Sequence, residues 1–210
     1  MSEQTLYYWQ VAGTLVAFLP VLAGLLKYPK SEKSIRYFLG YLFIGLLTDL
    51  TGWYCYITQN ETTNQYVRHA YDLFEAFFLF WFIAHTATSK YLRNFFSWAL
   101  PVVVVFWASR FWISTVPMFK SGTQVVIAFG SALAILQMLE QDEQATQRPM
   151  LWMWLGTFFY CFSTFFLMGI LGTKMAGVWY AHAIINILAY LIFTIGFLSI
   201  RQQSIPDSHN

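Results

Sequence analysis

The sequence predicts an all-α polytopic integral membrane protein folded as a seven-transmembrane helical bundle. Three observations carry this expectation. Of the 210 residues, 58% are hydrophobic and only 10% are charged, against about 25% charged in an ordinary soluble domain. Mean hydropathy is +0.50. Apolar stretches recur along the whole chain, each close to the ~20 residues needed to cross a ~30 Å hydrocarbon core. A soluble fold with so few charges cannot cover its surface, so the natural solvent is lipid. The same composition excludes a disordered chain, a disulfide scaffold and a nucleic-acid binder.

The seven expected spans cover residues 5–27, 35–58, 66–88, 95–116, 121–141, 149–171 and 176–200. Polar and turn-forming segments separate them. The clearest is Lys27 to Arg36, followed by Gln59 to Asn64, Ser89 to Asn94, Pro117 to Gly122, Gln141 to Pro149 and Gly172 to Gly177. Pro20 lies inside the first span and Pro101 inside the fourth, where neighbouring helices can satisfy the freed carbonyls. The fifth span is the most interrupted by polar residues, with Gln124, Ser131, Gln137 and Glu140. These spans define one membrane domain over 1–200 and a short tail over 201–210. Met1-Ser2-Glu3-Gln4 has no basic segment, so no cleaved signal peptide is expected.

Basic residues in the connections set the expected orientation. With the N-terminus outside, the inner side holds eight (Lys27, Lys30, Lys33, Arg36, Lys90, Arg93, Arg148 and Arg201) and the outer side four (Arg68, Arg110, Lys120 and Lys174). The expectation is therefore N-out and C-in, in a plasma or inner membrane. Tyr7 to Trp9, Trp53 to Tyr56, Trp112, Trp179 and Tyr180 suit an outer aromatic belt, with Trp98, Trp152 and Trp154 near the inner one.

Ionisable groups inside spans are costly and point to function by default. Here they are Asp49, Asp72, Glu75 and Arg110, with His69, His182 and Asn186 beside them. At ~1.5 Å rise per residue, Asp49, Asp72, Glu75, Arg110, His182 and Asn186 all fall about 8–15 Å below the outer boundary. His69, Asp72 and Glu75 form a slanting stripe on the third helix, and His182 and Asn186 share a face of the seventh. His85 lies on another face, near the inner boundary. On the sixth helix Thr157, Tyr160, Cys161 and Thr164 share a stripe whose upper end could reach the same cavity. Three carboxylates face one guanidinium, which leaves −2 in a medium of low dielectric. Protons, a metal, Arg68 reaching in or a cationic ligand would have to offset it. A purely structural polar network, a ligand, proton or ion pocket, and a catalytic or metal site all remain open. Asp49–Arg110 as a buried packing pair is the structural version.

Motifs add little. Cys55 and Cys161 form no CxxC, and their depths differ by ~14 Å, beyond the ~7 Å Cα limit of a disulfide. There is no Walker loop, GxGxxG, HExxH or GxSxG. No lysine sits mid-span in the sixth or seventh helix to carry a retinal. His69, Asp72 and His182 could supply three ligands to zinc, with Asp49 or Glu75 behind them. The segment from Trp179 to Asn186 is similar to the last span of the seven-span ceramidase and progestin-receptor-like hydrolases, which carry HxxxH there. Asn186 stands where the second histidine would be and the second span has no SxxxH, so no family is assigned.

The expected function is binding of a small ligand, lipid headgroup or ion in an outer-half pocket of Asp49, His69, Asp72, Glu75, Arg110, His182 and Asn186, for sensing or transport. The alternatives are a metal-dependent lipid hydrolase, which leaves enzyme activity undecided, and an accessory subunit of a membrane complex. Partners are the bilayer, the ligand, and a membrane or cytoplasmic protein that would receive a signal.

Overall fold

A computed structural model describes residues 3–109, 116–141, 144–167 and 176–200. Seven long helices make up the fold: α1 (Glu3–Lys27), α2 (Lys33–Ile57), α3 (Glu61–Thr86), α4 (Lys90–Ser109), α5 (Val116–Gln141), α6 (Pro149–Thr164) and α7 (Ala176–Leu198). Arg110 and the tail over 201–210 lie outside the described residues.

Local sequence explains the boundaries. Pro29 falls in a single 3₁₀ turn, Tyr28–Lys30, that closes α1. Gln59 ends α2 in a left-handed conformation with φ 54°. Asn60 then caps α3, its Oδ1 accepting from the Thr63 N–H at 3.1 Å. Such a cap satisfies one of the four amides a helix start leaves open. Pro149 opens α6, where its missing N–H is harmless. A π-helical turn over 165–167 extends α6 beyond Thr164.

Five helices are long and apolar enough to cross a membrane: α2, α4, α5, α6 with its π turn, and α7. The fold is thus compatible with an integral membrane location. Two of the seven expected spans fall short of that measure among the described residues. In α1 the apolar stretch is Val11–Lys27. In α3 the stripe of Arg68, His69, Asp72 and Glu75 lowers the hydropathy. α3 packs against α2, α4 and α5; Glu75, Ala76, Leu79, Phe80 and Phe82 to Ala84 are buried on its lower half, while Phe77 there and Arg68 above are exposed.

Each helix packs on its sequence neighbours, and α1 meets α7 to close the ring. We call the end with the α2–α3 connection upper and the opposite end lower. At the lower end the Lys27 ammonium donates to the Ile200 carbonyl at 3.2 Å, joining the ends of α1 and α7. There too the Gln137 side chain accepts from the Ser89 N–H at 3.2 Å. α3 touches α5 directly, and α4 lies outermost with little of it buried.

Below the middle of the bundle the core is aromatic. Phe38 meets Phe193 at 5.1 Å and Phe82 at 5.2 Å between ring centroids, and Phe82 meets Trp154 at 4.9 Å. Phe38, Phe82 and Trp154 are at most 1% exposed. A Cβ on Gly156 would overlap the Phe193 ring, so a glycine lets α6 and α7 approach closely. This layer closes the bundle interior toward the lower end.

Candidate functional site

The polar site begins where that aromatic layer ends. Glu75, on α3, is 5% exposed. Tyr41 on α2 donates to its Oε1 at 3.3 Å, and Tyr160 on α6 directs a hydroxyl to the same carboxylate. A strong O–H···O⁻ bond spans about 2.5–2.7 Å, so the Tyr41 bond is a weak one. Two phenols thus serve this buried carboxylate, but among the described residues no cation forms an ion pair with it, and burying a charge without a counter-ion is expensive.

One helical turn higher, Asp72 accepts from the Lys120 ammonium of α5 at 3.2 Å. The Lys120 side chain is 36% exposed and the Asp72 side chain 17%. Lys120 was expected on the loop from Pro117 to Gly122. The structure starts α5 at Val116, which brings Lys120 inside the bundle. Asp72 and Glu75 against Lys120 leave a formal charge of −1 among the described residues of this cluster.

Two small chambers meet at Glu75. The first lies between α3 and α5, lined by Asp72, Glu75, Lys120, Thr123 and Gln124, with Cys161 from α6. It offers ≈ 10 Å³ to the centre of a water-sized sphere, about one water molecule. Gln124 is 3% exposed, and neither its amide nitrogen nor its oxygen has a partner within the protein. The second chamber lies between α2, α3, α6 and α7, lined by Tyr41, Gly45, Tyr71, Glu75, Tyr160, Asn186 and Tyr190 among others. It offers ≈ 30 Å³ on the same measure. The Asn186 Oδ1 is buried there with no hydrogen-bond partner.

Phe38, Leu42, Gly45 and Asp49 follow a 4-3-4 spacing along one stripe of α2. The first three are buried, but Asp49 is exposed. Asp49 nonetheless lies close enough to Tyr71 and Tyr190 to interact with them electrostatically. Arg68 repeats the pattern on α3, exposed one turn above half-buried Asp72. Asp49 and Arg68 thus stand exposed above Glu75 toward the upper end, and neither lines a chamber.

The expected site is gathered in part. Asp72, Glu75 and Asn186 line the chambers. Asp49 is exposed and lines neither chamber. His182 lies one turn above Asn186 on α7, and neither it nor His69 lines either chamber. The His69 carbonyl accepts from the Trp107 indole at 3.0 Å, which ties α4 to α3. Arg110, and with it the expected Asp49–Arg110 pair, lies outside the described residues. Among the described residues no three His, Cys, Asp or Glu side chains converge closely enough to hold a metal ion. His69, Asp72 and His182 are all described, so they do not form the tridentate set that zinc requires. Cys55 and Cys161 are both free and buried.

Sequence reasoning missed Lys120, Gln124 and the tyrosines Tyr41, Tyr71 and Tyr190. A signal existed for the first two, since Lys120, Gln124, Ile127 and Ser131 recur at helical spacing on α5. The tyrosines gave none, because tyrosine is ordinary at membrane interfaces. The chain matches no protein-family model, no curated protein and no solved structure.

Proposed function

We propose that this protein binds a small cation at Glu75, taken up through a vestibule that opens at the upper end beside Asp49 and Arg68, for sensing or transport at a membrane. The observation that carries the reading is the buried Glu75 carboxylate between two small chambers, with no ion-pair partner among the described residues. The formal −1 of Asp72, Glu75 and Lys120 favours a positive guest. The chamber volumes favour an ion over a lipid headgroup or a larger organic ligand. In the N-out orientation the vestibule faces the outside. The aromatic layer of Phe38, Phe82, Trp154 and Phe193 bars the lower end, so a transported ion would leave only if that layer repacked. A sensor would need no such step.

The test is thermal unfolding of the full chain in nanodiscs at constant ionic strength. Choline chloride is replaced by sodium, potassium or ammonium chloride. One of the small cations should raise the melting temperature saturably in the wild type and leave Glu75→Gln unchanged. Equal shifts in both proteins would sink the reading. Flux into liposomes then separates transport from sensing.

A further inference from the structure

We infer that the guest of the second chamber is ammonium or a short alkylammonium ion. This rests on the cation reading above and names the chemical class. The chamber brings Tyr41, Tyr71, Tyr160 and Tyr190 from four different helices around one carboxylate, Glu75, and one amide, Asn186. Aromatic rings attract cations through the negative face of their π system, and rings assembled around an ammonium group are the principal use of that attraction. A hard cation such as sodium instead requires several oxygen ligands at close range. The walls here carry four phenol rings and seven side-chain oxygens; what sets ammonium apart from sodium is its N–H bonds, directional donors for the unpartnered Asn186 Oδ1.

The polar atoms suit an N–H donor. Glu75 is a carboxylate with a long hydrogen bond of 3.3 Å to Tyr41. The Asn186 Oδ1 is a buried acceptor that accepts from no protein group. An ammonium ion in the chamber would donate to both and turn its remaining N–H bonds to the phenol oxygens and rings. Its charge would cancel the formal −1 of the cluster. Volume sets the upper size. The space is small, ≈ 30 Å³ to the centre of a water-sized sphere. Ammonium and methylammonium fit, and tetramethylammonium does not.

Gly45 gives the chamber its width. A Cβ there would lie 2.9 Å from the Tyr71 hydroxyl, so only glycine leaves that phenol its place. The vestibule past Asp49 supplies a path lined by an acid, which raises the local concentration of any cation.

The experiment is binding of radiolabelled methylammonium to the full chain in nanodiscs, with unfolding measured on the same samples. Competitors are ammonium, tetramethylammonium, sodium and potassium at equal ionic strength. The expected result is saturable binding, displaced by ammonium at least tenfold better than by sodium, potassium or tetramethylammonium (roughly 1.4 kcal/mol by the conversion of affinity to free energy). At about ten times Kd, methylammonium should raise the melting temperature by roughly 3–6 °C. Glu75→Gln should abolish binding. Tyr190→Phe, which keeps the ring, should retain it, and Tyr190→Leu should lose at least tenfold. Should Glu75→Gln fail to fold, the Tyr190 pair carries the test alone. Stabilisation by sodium or potassium through Glu75, with ammonium no better, would overturn this inference and leave the cation reading standing. No saturable effect of any cation would overturn both.

Discussion

The Lys120 ammonium on α5 lies 3.2 Å from an Asp72 carboxylate oxygen on α3, so the only described cation lining the first chamber is already engaged by one of its two acids. That pairing leaves Glu75, one turn deeper, to find its own compensation.

The pair bears on stability first. Lys120→Met should destabilise the bundle by about 1 kcal/mol, near the upper range for a partly exposed ion pair and well short of the ~3–5 kcal/mol for breaking a fully buried one. Asp72→Asn combined with Lys120→Met should recover part of the loss, because Asp72 is then not left as a charge without its partner. Unfolding in nanodiscs measures all three. A loss in the double variant equal to the sum of the singles would show that the two groups do not act on each other.

Two glycines on α2 make a controlled comparison. Gly45→Ala pushes a methyl against the Tyr71 hydroxyl, whereas Gly40→Ala meets nothing within 4 Å. Alanine is favoured over glycine in a helix by up to ~1 kcal/mol, so Gly40→Ala should be neutral or stabilising. Gly45→Ala should weaken cation binding at least tenfold while the protein stays folded. Equal cation affinity in the two variants would mean that Tyr71 does not shape the chamber.

The vestibule makes a prediction about accessibility. In a background with Cys55→Ser and Cys161→Ala, Asp49→Cys should react readily with a membrane-impermeant maleimide. Leu42→Cys, two turns deeper on the same stripe and 5% exposed at the native leucine, should not. Labelling of Asp49→Cys in intact cells would also fix the upper end as the outer one. Equal labelling of both positions would contradict a vestibule that narrows toward Glu75.

Gln124 tests what fills the first chamber. Both ends of its amide lack a protein partner, and a buried polar group left so costs about 1–3 kcal/mol. If water or the bound cation serves it, Gln124→Leu should leave stability in choline nearly unchanged and shrink the cation-dependent rise in melting temperature. A gain of more than ~1 kcal/mol in choline would instead mean a dry chamber, in which the amide was only a burden.

Much of the fold was legible because apolar stretches long enough to cross a membrane stand out along the sequence. The breaks at Pro29, Asn60 and Pro149 mark where they start and stop. Asp72, Glu75 and Asn186, expected at similar heights from the rise per residue, line the two chambers. Height along a helix could not give what lies across the bundle. Asp49 shares the right height yet lines neither chamber, and His69 and His182 lie outside both chamber linings. Height alone does not decide which side chains meet. Lys120 was hidden for a different reason, because a basic residue near a span boundary reads as a loop anchor until the helix start is known. The expected zinc set failed on convergence, which sequence spacing on separate helices cannot supply.

The most direct measurement is the infrared difference spectrum of the full chain in lipid when choline is exchanged for ammonium. Cation binding at Glu75 changes the stretching bands of that one carboxylate. The account predicts a saturable carboxylate difference band in the wild type that is absent in Glu75→Gln and kept in Asp49→Asn. A band that survives Glu75→Gln, or no band at any ammonium concentration, would contradict it.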